Sequence, residues 1–269
     1  MAMPRSERKL YVMHHAPIAK RKGEIVGCRT DKGLSEYGIE VAKRQAERLR
    51  RMLGTTALEK VTSTILSSPL KRALHTSEII AERCDLEIQT DERLKAQNFG
   101  VLDGMTFEEV ERDEELRLNL WDYIPPHLRD MHRTPGGESN KEMVDRVNGF
   151  KTDILSRDQT MRPFIITHGT VIDAMIASVD HRRLDEIEGQ NRKYEGRPIV
   201  ISKDSYQPIG HEGDPFDFIP GVSSLVEQDD IEGIRRRIET YVLCETNRQD
   251  EKVHLEKLMN FLGNKGANS

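Results

Sequence analysis

The sequence predicts an α/β fold, a three-layer sandwich in which a mostly parallel central sheet is flanked by helices. Three observations point there. Short apolar runs alternate with helix-periodic segments across residues 1–180. Two of those runs, residues 10–13 and 164–167, lead straight into histidine. Between them, the run 61–66 leads through Ser67 and Ser68 into a proline-started helix that carries Arg72. Folds of this class put their chemistry beyond the carboxyl ends of the strands, which is where His14, His15 and His168 fall.

The elements follow in order. Leu10, Tyr11, Val12 and Met13 read as a buried first strand. Residues 14–32 form a long loop holding Lys20, Arg21, Lys22, Arg29 and Lys32, and long loops inside compact domains commonly cover a site. Ser35 is a fair N-cap for a helix on which Ile39, Ala42, Ala46, Leu49 and Leu53 recur at helical spacing. Residues 61–66 are a β-branched second strand. Pro69 sits where a first helical turn tolerates it, and that helix runs to about Arg83. Residues 86–89 read as a short third strand, 91–104 as a loop and 106–117 as a charged helix. Pro125, Pro126, Pro135, Gly136 and Gly137 mark residues 121–137 as a turn-rich connection. Ser139 caps a helix to about Ser156, residues 164–167 are a fourth strand, and 171–179 an apolar helix behind His168.

After Asp180 the texture changes. Residues 198–202 are a candidate strand, 206–221 an irregular loop with prolines and glycines, 231–262 helical with a break near Asn247, and 263–269 a disordered tail. The expected division is a core over residues 1–180 and a C-terminal extension over residues 181–269, a loop or lid with helices packed on that core. Leu255, Leu258, Met259 and Leu262 share one side of the last helix. That side packs on its own domain or makes a homodimer through the C-terminal helices.

Composition narrows the partners. Lys and Arg number 41 against 46 Asp and Glu, a net charge of -5. That argues against nucleic acid, which needs clustered positive charge. A small anionic substrate stays open, because local charge decides there. Cys28, Cys84 and Cys244 are too far apart for a metal-type pair and read as reduced thiols. His127 and His132 make a poor metal pair, with no cysteine or acidic triad beside them; His75, His181 and His254 read as packing or surface residues. No apolar run approaches the ~20 residues of a membrane span, and the charged first residues carry no signal region. The expectation is a cytoplasmic protein without membrane contact. No glycine-rich dinucleotide loop or Walker-type lysine loop is present, so no cofactor is expected.

Six short motifs carry a resemblance. They are Met13-His14-His15, Leu34-Ser35-Glu36-Tyr37-Gly38, Ser68-Pro69-Leu70-Lys71-Arg72-Ala73, Leu94-Lys95-Ala96-Gln97-Asn98-Phe99-Gly100, Gly137-Glu138-Ser139 and Thr167-His168-Gly169. In that order the chain resembles the histidine phosphatase superfamily, the phosphoglycerate mutase-like branch. Its pattern is Arg-His-Gly, Leu-Ser/Thr-x-x-Gly, Ser-x-Leu-x-Arg-Ala, Leu-x-Glu-x-x-Phe-Gly-x-x-Glu-Gly, Gly-Glu-Ser and His-Gly. The resemblance implies that His14 takes the phosphoryl group as phosphohistidine, that His168 stabilises the transition state and that Arg72 clamps phosphate. The chemistry is sound in itself. A neutral imidazole is a nucleophile near neutral pH. Phosphoryl transfer chiefly needs charge stabilised on the equatorial oxygens, and a guanidinium offers a planar fork of donors for that.

Two departures stand beside the matches. Met13 replaces the arginine before the nucleophile, and Ala96 falls where the family has its proton-donating glutamate. A lost general acid costs about 10²–10⁴ in rate. Groups that can compensate by binding substrate are His15, Arg21 (with Lys22), Arg29, Gln97, Glu138 and Gly169; His211, Glu212 and Asp214 join them if the extension reaches the site. Three readings therefore stand: a divergent phosphatase acting on a small phosphomonoester, an altered or inactive member that binds a phosphorylated ligand or a protein, and an acid/base enzyme repurposed on the same scaffold.

Overall fold

The computed structural model describes residues 9–53, 61–157, 162–186, 198–202 and 205–208. In chain order these form β1 (Leu10–His14), α1 (Glu36–Met52), β2 (Val61–Ser67), α2 (Lys71–Cys84), β3 (Glu87–Thr90), α3 (Phe107–Glu111), α4 (Asn140–Ser156), β4 (Arg162–Thr167), α5 (Gly169–Asp180), β5 (Ile199–Ile201) and β6 (Tyr206–Pro208). One six-stranded sheet runs in the order β3-β2-β4-β1-β5-β6. The first four strands are mutually parallel, whereas β5 lies antiparallel to β1 and β6 antiparallel to β5.

Period-2 alternation along the strands divides the core into two layers. Leu10, Val12 and Ile165 face a cluster built with Met143, Val147 and Phe150 of α4 and with most of α5. Tyr11, Met13, Phe164 and Ile166 face the other way, onto Ala46 and Leu49 of α1 and Ala73 and Ile80 of α2. The chain thus leaves β1 towards one face and leaves its neighbour β4 towards the other. That is the arrangement in which an α/β sheet opens a crevice between two strand ends.

Local chemistry sets the helix starts. Ser35 accepts the amide of Gly38 as N-cap of α1. Ser139 and Glu142 form a reciprocal capping box that starts α4. Thr106 and Glu109 do the same for α3, yet that helix ends at Glu111 instead of continuing to 117. Asp113 Oδ1 accepts the amides of Glu115 and Leu116, at 2.9 Å each. This side-chain turn competes with the helix and diverts the chain into a 3-10 turn at Leu116–Asn119. Ile25, Leu102, Val110 and Leu120 close a small core beneath this segment. Gly100 permits the tight passage there: its φ is +57°, and a Cβ would lie 2.2 Å from the Pro135 carbonyl oxygen.

The sheet continues past the boundary expected at residue 180. The chain clusters into two compact units, residues 1–19 with 24–209, and residues 20–23 with 210–269. The all-buried triplet Ile199, Val200 and Ile201 pairs with β1 and belongs to the first unit. Residues 206–208, expected to open an irregular loop, form β6 instead, and Pro208 is tolerated because β6 is an edge strand. The helices expected over 231–262, the homodimer surface on them and the group His211, Glu212 and Asp214 lie outside the described residues. Among the described residues no helix is long and apolar enough to cross a membrane.

Candidate active site

β1 and β4 pair in parallel with His14 opposite Thr167. The ladder goes one step further, the His15 amide donating to the Thr167 carbonyl at 3.0 Å. His14, His15 and His168 are thereby delivered to one end of two adjacent strands. Their rings touch in sequence: His14 and His15 have centroids 4.2 Å apart, and His15 meets His168 edge-on at 5.1 Å.

Hydrogen bonds assign the tautomers. His14 Nδ1 lies 2.8 Å from the His15 carbonyl oxygen, and His15 Nδ1 lies 2.7 Å from that of Ala16. A carbonyl only accepts, so both Nδ1 atoms carry the proton and the neutral rings keep their lone pair on Nε2. At His168 the order is reversed. Arg72 Nε–H donates to His168 Nδ1 at 3.2 Å, so Nε2 carries the proton and donates to Ser68 Oγ at 2.7 Å. His168 is 3% exposed. Burial, then the positive charge of Arg72, holds its pKa well below the ordinary histidine value, so it stays neutral.

Arg72 comes from the first turn of α2 and is 1% exposed. Its Nη1 donates to the Thr30 carbonyl and its Nη2 to the Gly27 carbonyl, both at 2.9 Å. Burial lowers its pKa to about 10, against the opposing pull of Asp103, Asp31 and Cys28, and the guanidinium remains charged at neutral pH. Asp31 ties the same loop to α2 by accepting the Lys71 amide at 2.6 Å. Asp103 accepts the amides of Gly27 at 2.8 Å and Arg29 at 2.7 Å, and the Thr30 hydroxyl. The loop lies so close to the 97–103 segment that a Cβ on Gly27 would come within 2.5 Å of the Gln97 carbonyl oxygen.

Of the residues singled out from sequence, the structure brings together His14, His15, His168 and Arg72, with Gly169 opening α5 directly behind. Others have their described contacts elsewhere. Gln97 is buried and donates to Asn140 Oδ1 at 2.9 Å. Glu138 forms a two-pronged bridge to Arg146, at 2.7 Å from Nη2 and 3.2 Å from Nε, and accepts the Asn98 amide at 3.0 Å. Arg29 is exposed, with its guanidinium beside Gly136. Arg21 falls in residues 20–23, which group with the second unit. Met13, 2% exposed, packs into the apolar layer with Tyr11, Ile65 and Phe164, and Ala96 is 3% exposed. Sequence reasoning missed Ser68 and Asp103 as site-building residues. Ser68 opens the arginine motif, and Asp103-Gly104 stands where the family pattern ends in Glu-Gly.

The sequence profile of the histidine phosphatase superfamily (branch 1) matches residues 10–194. Among curated proteins, the chain is 29% identical over 171 residues to a probable phosphoglycerate mutase GpmB of Salmonella paratyphi C, covering 64% of this chain and 74% of the relative. Among solved structures, it is similar to a mycobacterial glucosyl-3-phosphoglycerate phosphatase, with a TM-score of 0.56 at 20% identity over 75% of this chain and 97% of the other. It is also similar to the alpha-ribazole phosphatase of Shigella flexneri, with a TM-score of 0.59 at 19% identity over 76% and 100% of the two chains. Motif order, profile and fold agree: the chain belongs to branch 1 of the histidine phosphatase superfamily.

Proposed function

We propose that this protein hydrolyses a small phosphomonoester through a phosphohistidine on His14. The observation that carries the reading is the tautomer of His14, whose Nδ1–H is fixed on the His15 carbonyl so that Nε2 holds the attacking lone pair. Nε2 attacks phosphorus, the bond to the leaving oxygen breaks, and that oxygen departs with the electron pair. Water then cleaves the N–P bond, returning the pair to Nε2, releasing inorganic phosphate and passing its proton to the solvent. Arg72 keeps a cation at this end of the sheet. The neutral His168, with Ser68 and Arg72 fixing its ring, supplies a polar partner whose charge does not change as the reaction proceeds. His15 stands beside the nucleophile, its ring centroid 4.2 Å from that of His14, and the Gly169 amide at the start of α5 offers a donor to a phosphoryl oxygen. The names of the relatives, a probable phosphoglycerate mutase, a glucosyl-3-phosphoglycerate phosphatase and an alpha-ribazole phosphatase, support a phosphomonoester as the substrate class.

With alanine at position 96, the favoured substrates are those whose leaving group departs without strong acid assistance. The test is phosphate release from para-nitrophenyl phosphate, whose phenolate needs no such help. Wild-type release that vanishes in His14→Ala supports the reading, and equal release in that variant rejects it. A second reading, a phosphate-binding protein without turnover, is favoured by Met13 lying in the apolar core and by the buried methyl of Ala96. It expects phosphate binding that survives His14→Ala and is lost in Arg72→Ala.

A further inference from the structure

Arg72 is held by main-chain oxygens and not by a carboxylate. Its Nη1 and Nη2 donate to the carbonyls of Thr30 and Gly27, and Nε donates to His168. Two carbonyls on one mobile-length loop can aim a guanidinium only if the loop itself is fixed. Two loop amides and the Thr30 hydroxyl converge on one side chain, while the Cys28 amide between them donates to the Gln97 carbonyl at 3.0 Å: Asp103 Oδ1 accepts from Gly27 N at 2.8 Å and from Thr30 Oγ, and Oδ2 accepts from Arg29 N at 2.7 Å. The carboxylate therefore grips residues 27, 29 and 30, and the carbonyls of residues 27 and 30 grip Arg72. Charge-assisted bonds of this kind are about twice as strong as neutral ones. Asp103 is also the largest influence opposing the effect of burial on the Arg72 cation, ahead of Asp31 and Cys28.

We infer that Asp103 is the positioning residue of the oxyanion site: it fixes the loop at residues 27–30, and through that loop's carbonyls it sets the orientation of Arg72. This rests on the reading above that Arg72 and its histidines hold a phosphoryl group. The chain of contact is Asp103, loop backbone, Arg72, His168, so the effect of Asp103 must pass through Arg72.

That dependence is what the experiment reads. Orthovanadate binding to the full-length protein is measured by calorimetry in wild type, Asp103→Asn, Arg72→Ala and the double variant, with thermal melts on each. Asparagine keeps the size of the side chain but turns a donor towards the loop amides. The expected result is about tenfold weaker binding in Asp103→Asn and less than about twofold further loss when the same change is made on Arg72→Ala, the non-additivity of residues acting in one chain. Equal loss in both backgrounds, or no loss in wild type, overturns the inference while leaving the phosphoryl site intact. Absence of orthovanadate binding in folded wild type rejects the site reading itself and the inference with it. Should Asp103→Asn melt below the assay temperature, Thr30→Val removes one of the three bonds to Asp103; weaker binding that again appears with Arg72 present and not on Arg72→Ala supports the inference, and unchanged binding or equal loss in both backgrounds overturns it.

Discussion

The adjacent ends of β1 and β4 treat their histidines differently. At the end of β1, His14 and His15 are half-buried, and each ring is tethered by Nδ1 to a main-chain oxygen one residue on. At the end of β4, His168 is buried, and both its nitrogens are engaged by side chains, Arg72 on one and Ser68 on the other. The first arrangement sets a tautomer with the proton on Nδ1. The second holds an imidazole neutral and immobile. Under the proposed hydrolysis, these two settings serve opposite tasks, with His14 forming and breaking a bond and His168 presenting a constant environment.

The comparison breaks most sharply at His168. His168→Ala removes the fixed polar partner and leaves Arg72 Nε without its acceptor. We expect kcat for phosphate release to fall by about 10²–10³, while chemical trapping of phosphohistidine on His14 still detects the intermediate. The next effect is on stability. The folded pKa of His168 is depressed, so below the unfolded value of 6.5 the unfolded chain binds a proton that the folded chain refuses. Its contribution to stability is complete above that value and is lost as pH falls towards the folded pKa. Urea midpoints taken from about pH 7.5 down to about pH 5, a span that brackets an unperturbed histidine, should fall more steeply in wild type than in His168→Gln. Equal slopes would mean that His168 does not titrate in the unfolded state alone.

Smaller effects sharpen the contrast. Ser68→Ala leaves the buried Nε2–H of His168 without its acceptor, at a cost of about 1–3 kcal/mol, measurable by urea unfolding. Phosphate release should drop by about tenfold if that cost falls on the active arrangement, as 1.36 kcal/mol per decade implies. Ser139→Ala, at the start of α4 and outside both strand ends, should cost about 1 kcal/mol of stability through its lost cap and leave kcat unchanged.

How far the sequence reveals this follows from the kind of interaction involved. The strands read at 10–13 and 164–167 are legible because short apolar runs bounded by polar loops have few alternatives, and they lie within β1 and β4. His14, His168 and Arg72 are legible as a cluster because they fall at two strand ends and a helix start within recognisable motifs. The short β6 is not legible: Tyr206, Gln207 and Pro208 have no strand signature, and their pairing with β5 is a tertiary event. Nor is the length of α3, which Asp113 decides with a side-chain turn. The support of Arg72 is hidden for a deeper reason. It runs through the carbonyls of Gly27 and Thr30, and a carbonyl belongs to every residue alike. Glu138 shows the converse. Its motif marks it clearly, yet its carboxylate is bound to Arg146.

The parallel pairing of β1 with β4 also works as a ruler. Neighbouring strands lie about 4.8 Å apart whatever their sequence, and the register Met13 with Ile166 and His14 with Thr167 pins where along that gap each histidine emerges. Loops beyond the strand ends are free to lengthen, shorten or change character without altering this gauge. A single residue inserted within either strand would turn its histidine to the opposite face. Evolutionary change in what such a protein accepts is therefore channelled into the loops, while the spacing between its two imidazole-bearing strands is inherited as a fixed dimension of the sheet.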